Sequence, residues 1–397
     1  MNILDKFSTV KFSDDLESAV VTYKFGFLKL KHKIKDRPIL NKKLCNKAGF
    51  KTLLISRFGG VGDFLLFRPF LKFIKKSKKF SDYKIILVTL PEYIDLVKKF
   101  DENVVDYFIP IESFGYKNKN VYKLFKCTSF NIYIDPSDGL KTGTRDTIVK
   151  TIDADDEYCN VAIFTYSKSK KIGVNLDSYF NKHFNHVFYN SDCPIFIKDI
   201  NKAFFEFVAE EKFSDISSIK DNLLFNVDFR SKYAVISPFA RGQDRTYPPD
   251  KYSIILDYIT DVLKIPVVLI GSELEKCKAD ELIDLCKNQH MIFNLSGKLT
   301  YFESMFYIKY AQFMVANETG TVHIAQGLGT KTICISNGSY MGTFHPYPKD
   351  ISSAIYVYPD DINEVLTSHP EYVGVPFKSS FEHLSPQKVI ESLKSVL

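Results

Sequence analysis

A strand, loop and helix alternation that runs, falters and then starts again is the feature that most constrains what this sequence can fold into. Apolar runs of four or five residues are each followed by a glycine or polar loop and an amphipathic stretch, the sign of parallel strands joined by helical crossovers. The first series opens with residues 52–56 (TLLIS), a glycine loop and a helical stretch over 63–76. Runs at 84–88, 104–109 and 131–135 follow, with a helix opening near Pro91. Between 150 and 230 the periodicity is weak and Phe-rich, with an acidic cluster at Asp153, Asp155, Asp156 and Glu157. A second series begins at 233–237 and continues through helix 250–263, run 266–270, helix 273–287, run 291–293 and helix 301–310. Run 313–315, a helix from about Thr321, run 332–335 and an amphipathic stretch over 385–397 complete it. A chain of 397 residues exceeds the usual size of one hydrophobic core. The pattern therefore predicts an α/β protein of two Rossmann-like domains: a basic N-terminal extension over 1–50, one domain over 51–228 and a second over 229–397.

Composition narrows the class further. The seven cysteines are odd in number and never spaced C-x-x-C, which argues against a disulfide framework and for a reducing compartment. Residues 1–15 carry acids and lack a continuous apolar core, and no run of about 18 apolar residues occurs. The expectation is a cytoplasmic protein with neither signal peptide nor membrane-spanning helix. The net charge of +6 is unevenly placed, because residues 24–47 hold nine Lys or Arg against the single acid Asp36. There Lys24, Lys29, Lys31, Lys33 and Lys35 interleave with Phe25, Phe27, Leu28, Leu30 and Ile34. That pattern suits an anionic inner-membrane surface or an acidic glycolipid as well as a solvated packing helix. Nothing in the charge distribution points to nucleic acid.

Open parallel sheets bind ligands outside the carboxyl ends of their strands, so motifs at strand ends matter most. The first is Arg57-Phe58-Gly59-Gly60-Val61-Gly62-Asp63. Gly59, Gly60 and Gly62 let a ligand approach the backbone, and the helix start offers amides to an anion or hydroxyl. It is not a P-loop, since no Gly-Lys-Ser/Thr follows, and Leu65 breaks the dinucleotide fingerprint. On sequence alone, Asp63 reads first as an ordinary helix-capping carboxylate. The second is Asn317-Glu318-Thr319-Gly320-Thr321-Val322-His323, whose Thr319, Gly320 and Thr321 sit at a helix start suited to a diphosphate, with His323 one turn in. A capping loop with a structural histidine is the alternative. The third pairs the cations of Arg241-Gly242-Gln243-Asp244-Arg245 with the carboxylates Glu273 and Glu275 after the following strand. A cation at one strand end and acids at the next suit phosphate and ribose hydroxyls respectively.

Together these motifs resemble glycosyltransferase family 9, the ADP-heptose:lipopolysaccharide heptosyltransferases, over about residues 51–348. "GDFLLFRPFLKFIKK" is similar to the family's opening helix and "SPFARGQDRTYPPDKY" to its "K-WP" segment. "VVLIGSELE" resembles its "GG--E" loop, and "NLSGKLTYFESMFYIKYAQFMVANETGTVHIAQGLGTKTICI" its long C-terminal signature. The resemblance implies a GT-B fold, two Rossmann-like domains facing across a cleft, that transfers a sugar from a nucleotide diphosphate with inversion and without metal or cofactor. It implies Asp63 as general base, Arg245 as the phosphate-binding cation and Glu275, or else Glu273, as the ribose-binding acid. Thr319, Gly320, Thr321 and His323 fall on the donor loop. The chain departs from the family at Glu318 (Asp is usual), Tyr247 (Trp) and Thr321 (Pro). The implied partners are a nucleotide-diphosphate sugar, ADP-heptose first, and a bacterial surface glycan or glycolipid acceptor. A GT-B-fold nucleotide-sugar epimerase and a non-catalytic nucleotide-sugar-binding subunit share the architecture. An epimerase differs in turning over the donor without acceptor.

Two weaker signals are set aside. Asp153-Ala154-Asp155 has the D-x-D pattern that holds Mn²⁺ in other glycosyltransferases, yet it lies in the poorly periodic middle of the chain. His183, His186, Cys277, Cys286 and His290 do not assemble four zinc ligands at usual spacings. The basic segment yields a test: full-length protein should sediment with anionic liposomes at low ionic strength and be released by salt, each basic residue contributing at most about 1 kcal/mol. Absence of sedimentation would leave residues 24–47 a structural element.

Overall fold

Strands buried on both faces read as unbroken apolar runs, and β1 (Thr52–Arg57) has all six residues buried. The computed structural model describes residues 51–57, 60–110, 196–213, 233–347, 352, 354–368 and 377–397, and the backbone of strands within 132–135, 170–174 and 186–188. The chain divides into two compact units between Ser217 and Ser218. The boundary expected at Asp228 and the basic segment 24–47 lie outside the described residues.

In the first unit β1 leads into α1 (Val61–Lys76), then β2 (Lys84–Thr89), α2 (Ile94–Phe100), β3 (Tyr107–Pro110), β4 (Ile132–Asp135), β5 (Lys170–Val174), β6 (His186–Phe188) and α3 (Ile197–Ala209). The six strands are all parallel, in the order β3-β2-β1-β4-β5-β6. The chain thus enters at the centre of the sheet, builds outward through β2 and β3, and returns to the other side of β1. α1 begins with Asp63 in its first turn and ends with Lys75 and Lys76, charges that complement the helix dipole. Its apolar face, including Phe67 and Phe70, meets Phe205 of α3, with ring centroids 5.8 and 5.4 Å apart. Arg68 emerges from α1 into the interior and is paired there. Its Nε and Nη2 donate to the two carboxylate oxygens of Asp101 at 2.7 and 2.8 Å, both residues being buried. Asp101 caps the C-terminus of α2, so this bidentate pair ties α1 to α2.

The second unit repeats the plan with β7 (Ala234–Ser237), α4 (Pro249–Asp257), β8 (Val267–Leu269), α5 (Lys276–Asp284), β9 (Ile292–Asn294), α6 (Tyr301–Tyr310), β10 (Met314–Asn317), α7 (Gly320–Leu328), β11 (Thr332–Ile335), β12 (Ala354–Val357), α8 (Asp360–Ser368) and α9 (Pro386–Lys394). Its parallel sheet has the order β12-β11-β10-β7-β8-β9, with the entering strand again central. Tyr247 belongs to the core. It is 1% exposed, packs edge-on against Tyr252 and Phe381, and donates its hydroxyl to the Leu384 carbonyl at 3.0 Å.

Several elements differ from their sequence-based limits. The stretch 250–263 is α4 followed by a π-helical turn, Tyr258–Val262. The chain leaves the helix at Lys264, which takes φ +54°, ahead of Ile265, whose place before Pro266 disfavours helix. The stretch 273–287 opens as a 3₁₀ turn, Glu273–Glu275, before α5. Val104 and Val105 donate to the Asp101 carbonyl, so β3 starts only at Tyr107. β5, β6, α3, β12 and α8 have no sequence-based counterpart.

Removing one partner of a buried pair strands the other charge. Asp101→Ala should therefore destabilise the protein by about 3–5 kcal/mol in urea unfolding, and Arg68→Met combined with Asp101→Leu should recover much of that loss.

Candidate functional site

In the first unit the chain leaves β1 at Arg57 and enters α1 at Gly60. Gly59 lies outside the described residues. Gly60 is the N-cap residue with ordinary extended backbone, and its N–H donates to Asp63 Oδ2 at 3.0 Å. A methyl group there would meet only ordinary contacts, so the fold itself does not demand glycine at this position. Gly62 is buried within the first turn of the helix. Arg57, itself buried, places Nη2 3.4 Å from Asp63 Oδ1. Asp63 is thus a capping carboxylate in fact. Burial nonetheless raises its pKa above the ordinary range, with Arg57 and the Gly60 amide opposing the rise. A carboxylate whose proton affinity is raised is better suited to accept a proton at neutral pH.

The second unit gathers three loops at the carboxyl edge of its sheet. Topology dictates this: β7 is hydrogen-bonded to β8 on one side and to β10 on the other, so the order reverses between β7 and β10. After β7, Gly242 adopts φ +106°, a conformation L side chains avoid, and turns the chain into the 3₁₀ segment Gln243–Arg245. Asp244 forms an exposed ion pair with Lys378 at 2.8 Å. The half-buried Arg245 guanidinium lies 4.8 Å from the centroid of the Tyr340 ring and donates to the Arg241 carbonyl. After β8, Ser272 and Glu275 form a capping box. Glu275 Oε2 accepts from the Ser272 N–H at 2.7 Å and from its hydroxyl at 2.8 Å. Glu273 is exposed, and its carboxylate lies over Gly297, where a side chain would strike it. The acid expected to serve a ribose, Glu275, is therefore also a helix cap.

After β10, Thr319 is the N-cap of α7, and its side chain makes no capping bond to the helix-start amides. Asn317, fully buried at the end of β10, donates from Nδ2 to the Arg245 carbonyl at 2.9 Å. Glu318 is buried as well. Its Oε2 accepts from Ser336 Oγ at 2.7 Å and lies 3.0 Å from His345 Nε2. Burial alone would raise this carboxyl, but His345, Ser336 and Arg245 together hold it below the usual range. His345 Nδ1 meets the Tyr358 hydroxyl at 2.9 Å, and its ring stacks on Tyr356 and Tyr358. His323, expected on the donor loop, is buried with Nδ1 2.6 Å from the Tyr347 hydroxyl. Burial pushes its pKa down to about 4, which makes it neutral at pH 7. Sequence reasoning missed Ser336, Asn337, Tyr340, His345 and Tyr347 as parts of this edge, and placed Asn317 there without its contact to the Arg245 turn. These residues act through contacts such as Asn337 Nδ2 to the Asp244 carbonyl and His345 to Glu318, which join distant parts of the chain and which no local pattern encodes.

Asp153, Asp155 and the side chains of His183 and His186 lie outside the described residues. Cys277 is exposed and Cys286 buried, and among the described residues no group of three His, Cys, Asp or Glu side chains is placed to hold a metal ion. Nor, among those residues, is any helix long and apolar enough to cross a membrane.

Two six-stranded parallel α/β units, each with polar loops at the carboxyl edge, define the class of GT-B glycosyltransferases. Residues 162–359 match glycosyltransferase family 9 (heptosyltransferase), and the chain belongs to that family of sugar-transferring enzymes. Solved structures agree in fold. A family 9 glycosyltransferase from Veillonella parvula superposes with a TM-score of 0.65 at 13% identity, over 87% of this chain and 97% of that one. The Escherichia coli heptosyltransferase WaaC with ADP-2-deoxy-2-fluoro heptose gives 0.61 at 15% identity, over 87% and 100%. The E. coli ADP-heptose lipopolysaccharide heptosyltransferase II gives 0.58 at 15%, over 87% and 98%. No curated protein matches the chain by sequence.

The neutral His323 has a consequence for stability. An unfolded histidine titrates near 6.5, whereas the folded one titrates at about 4, so the unfolded state takes up the proton first as pH falls. Its contribution is intact above about pH 6.5 and is lost progressively down to about pH 4. The total is of order 3 kcal/mol. Urea unfolding of wild type and His323→Gln across pH 7 to 4 should show a flatter pH dependence in the variant.

Proposed function

We propose that this family 9 enzyme transfers heptose from ADP-heptose to a bacterial surface glycan or glycolipid, by single displacement with inversion and without a metal ion. The observation that supports the donor side is the turn bearing Arg245, joined at the β7/β10 reversal through Asn317 to the end of the strand that precedes α7, a helix start that the Thr319 side chain does not cap. A cation and helix-start amides are what a departing diphosphate requires. Among the described residues no carboxylate lies within ion-pair distance of Arg245. Glu318 and Asp244 feel its charge only at longer range, and Glu318 is engaged by His345 and Ser336, so the guanidinium keeps donors for an anion. WaaC, similar in fold, has been solved with ADP and with an ADP-heptose analogue, which supports the choice of donor.

In this mechanism Asp63 takes the proton of the acceptor hydroxyl as its oxygen bonds to the anomeric carbon. The bond from that carbon to the diphosphate oxygen breaks, and ADP leaves. Arg245, Gly320 and Thr321 stabilise the charge on the leaving group. Glu275, or Glu273, accepts hydrogen bonds from the ribose hydroxyls. His323, neutral and fixed by Tyr347, supports the helix start from within.

The roles of Asp63 and Arg245 separate experimentally. Asp63→Asn should lower kcat by roughly 10²–10⁴-fold with donor affinity almost unchanged. Arg245→Ala should instead weaken ADP binding by about 1.5–3 kcal/mol in calorimetric titration. Equal loss of donor affinity in both variants would overturn the assignment. Wild-type transfer should persist in EDTA, and a strict Mn²⁺ requirement would overturn the metal-free mechanism.

A further inference from the structure

Arginine carries many rotamers, and a ligand that must order such a side chain binds less tightly than one that finds it ordered. In this protein the turn that bears Arg245 is fastened from the ends of two neighbouring strands. Asn337, buried after β11, donates from Nδ2 to the Asp244 carbonyl at 2.9 Å, and Asn317, after β10, donates to the next carbonyl, that of Arg245, also at 2.9 Å. Consecutive carbonyls of the 3₁₀ turn are thus fixed by two buried amides. The guanidinium itself rests on the Tyr340 ring. Tyr340 is in turn held. Its ring packs edge-on against Phe344, whose own ring meets His323 of α7, and its carbonyl accepts from the Thr343 and Phe344 N–H groups. The loop begins at Gly338, at φ +85°, whose N–H donates to Ser336 Oγ. Ser336 Oγ also donates to Glu318, so the shelf under Arg245 and the residue before the α7 N-cap share one anchor.

We infer that Tyr340 is the positioning residue for Arg245, its aromatic face presetting the guanidinium over the donor-binding edge, with Asn317 and Asn337 fixing the backbone that carries it. The inference rests on Arg245 holding the donor's diphosphate. It predicts that the tyrosine acts through the arginine and through its ring, not its hydroxyl. A cation–π contact at a half-exposed site corresponds to about a 3- to 10-fold effect on affinity.

The test is a double-mutant cycle read by calorimetry, using whichever of ADP, GDP, UDP and CDP the wild type binds most tightly, with thermal unfolding to confirm that each variant is folded. Tyr340→Leu should weaken that nucleotide about 3- to 10-fold and raise donor KM with little change in kcat, while Tyr340→Phe should stay within about twofold of wild type. In an Arg245→Ala background, Tyr340→Leu should cost nothing further. If Arg245→Ala weakens binding but Tyr340→Leu does not, or the two losses simply add, Tyr340 does not position Arg245 and the donor-site assignment survives. If no nucleoside diphosphate binds, or Arg245→Ala leaves binding unchanged, the donor-site assignment falls and the inference with it.

Discussion

Parallel strand pairing is the constraint on which the rest of this structure depends. Antiparallel strands can turn back within two residues, but parallel ones need a crossover, so every strand leaves the sheet at the same edge and every following helix begins there. In both units the chain enters at the centre of the sheet and builds to either side. Helix starts at the same edge each present amides and the positive end of a dipole. Asp63 in the first unit, and Arg245, Glu275 and Thr319 in the second, each stand at the carboxyl edge of their own sheet for a topological reason before any chemical one.

Capping and function are not exclusive at these positions. Asp63 and Glu275 each occupy the third helical position and accept a hydrogen bond from a residue at the helix entrance. A carboxylate so held has a fixed orientation and keeps further lone pairs for a ligand. The same bond that stabilises the helix therefore orients the group, at a cost that the capping interaction itself offsets. Arg57 adds to this by fixing the second oxygen of Asp63 while burial keeps its proton affinity high.

Behind the loop that follows β10, charge is buried in a way that only pairing allows. An unpaired carboxylate at the depth of Glu318 would cost several kcal/mol. His345 and Ser336 supply the compensating contacts, and Tyr358 orients His345 from its other nitrogen. His323 takes the opposite solution, giving up its charge to burial while Tyr347 holds the ring. The longer Glu318, where Asp is usual in the family, bonds to Ser336 after β11 and to His345 in the following loop, so both are drawn against the loop that follows β10. The loop that follows β10 is in this way tied into the second core.

The sequence by itself determined the two-unit α/β class, the strands β1, β2, β7, β8, β10 and β11, and the strand-end motifs bearing Asp63, Arg245, Glu273, Glu275 and Thr319. These are legible because a buried parallel strand and an amphipathic crossover leave periodic apolar signatures, and because glycines and helix-capping residues mark the loops between them. The limits of α4 and α5 were less legible, since Pro266 and the Ser272–Glu275 capping box act on their ends and not on their period. The tertiary structure alone decided which strand ends are neighbours, and so brought Asn317 and Asn337 onto the Arg245 turn, Tyr340 beneath its guanidinium and His345 onto Glu318. Those contacts join residues from 27 to 95 positions apart in the chain. Their partners are chosen by strand order, a property of the whole sheet that no local run of residues carries.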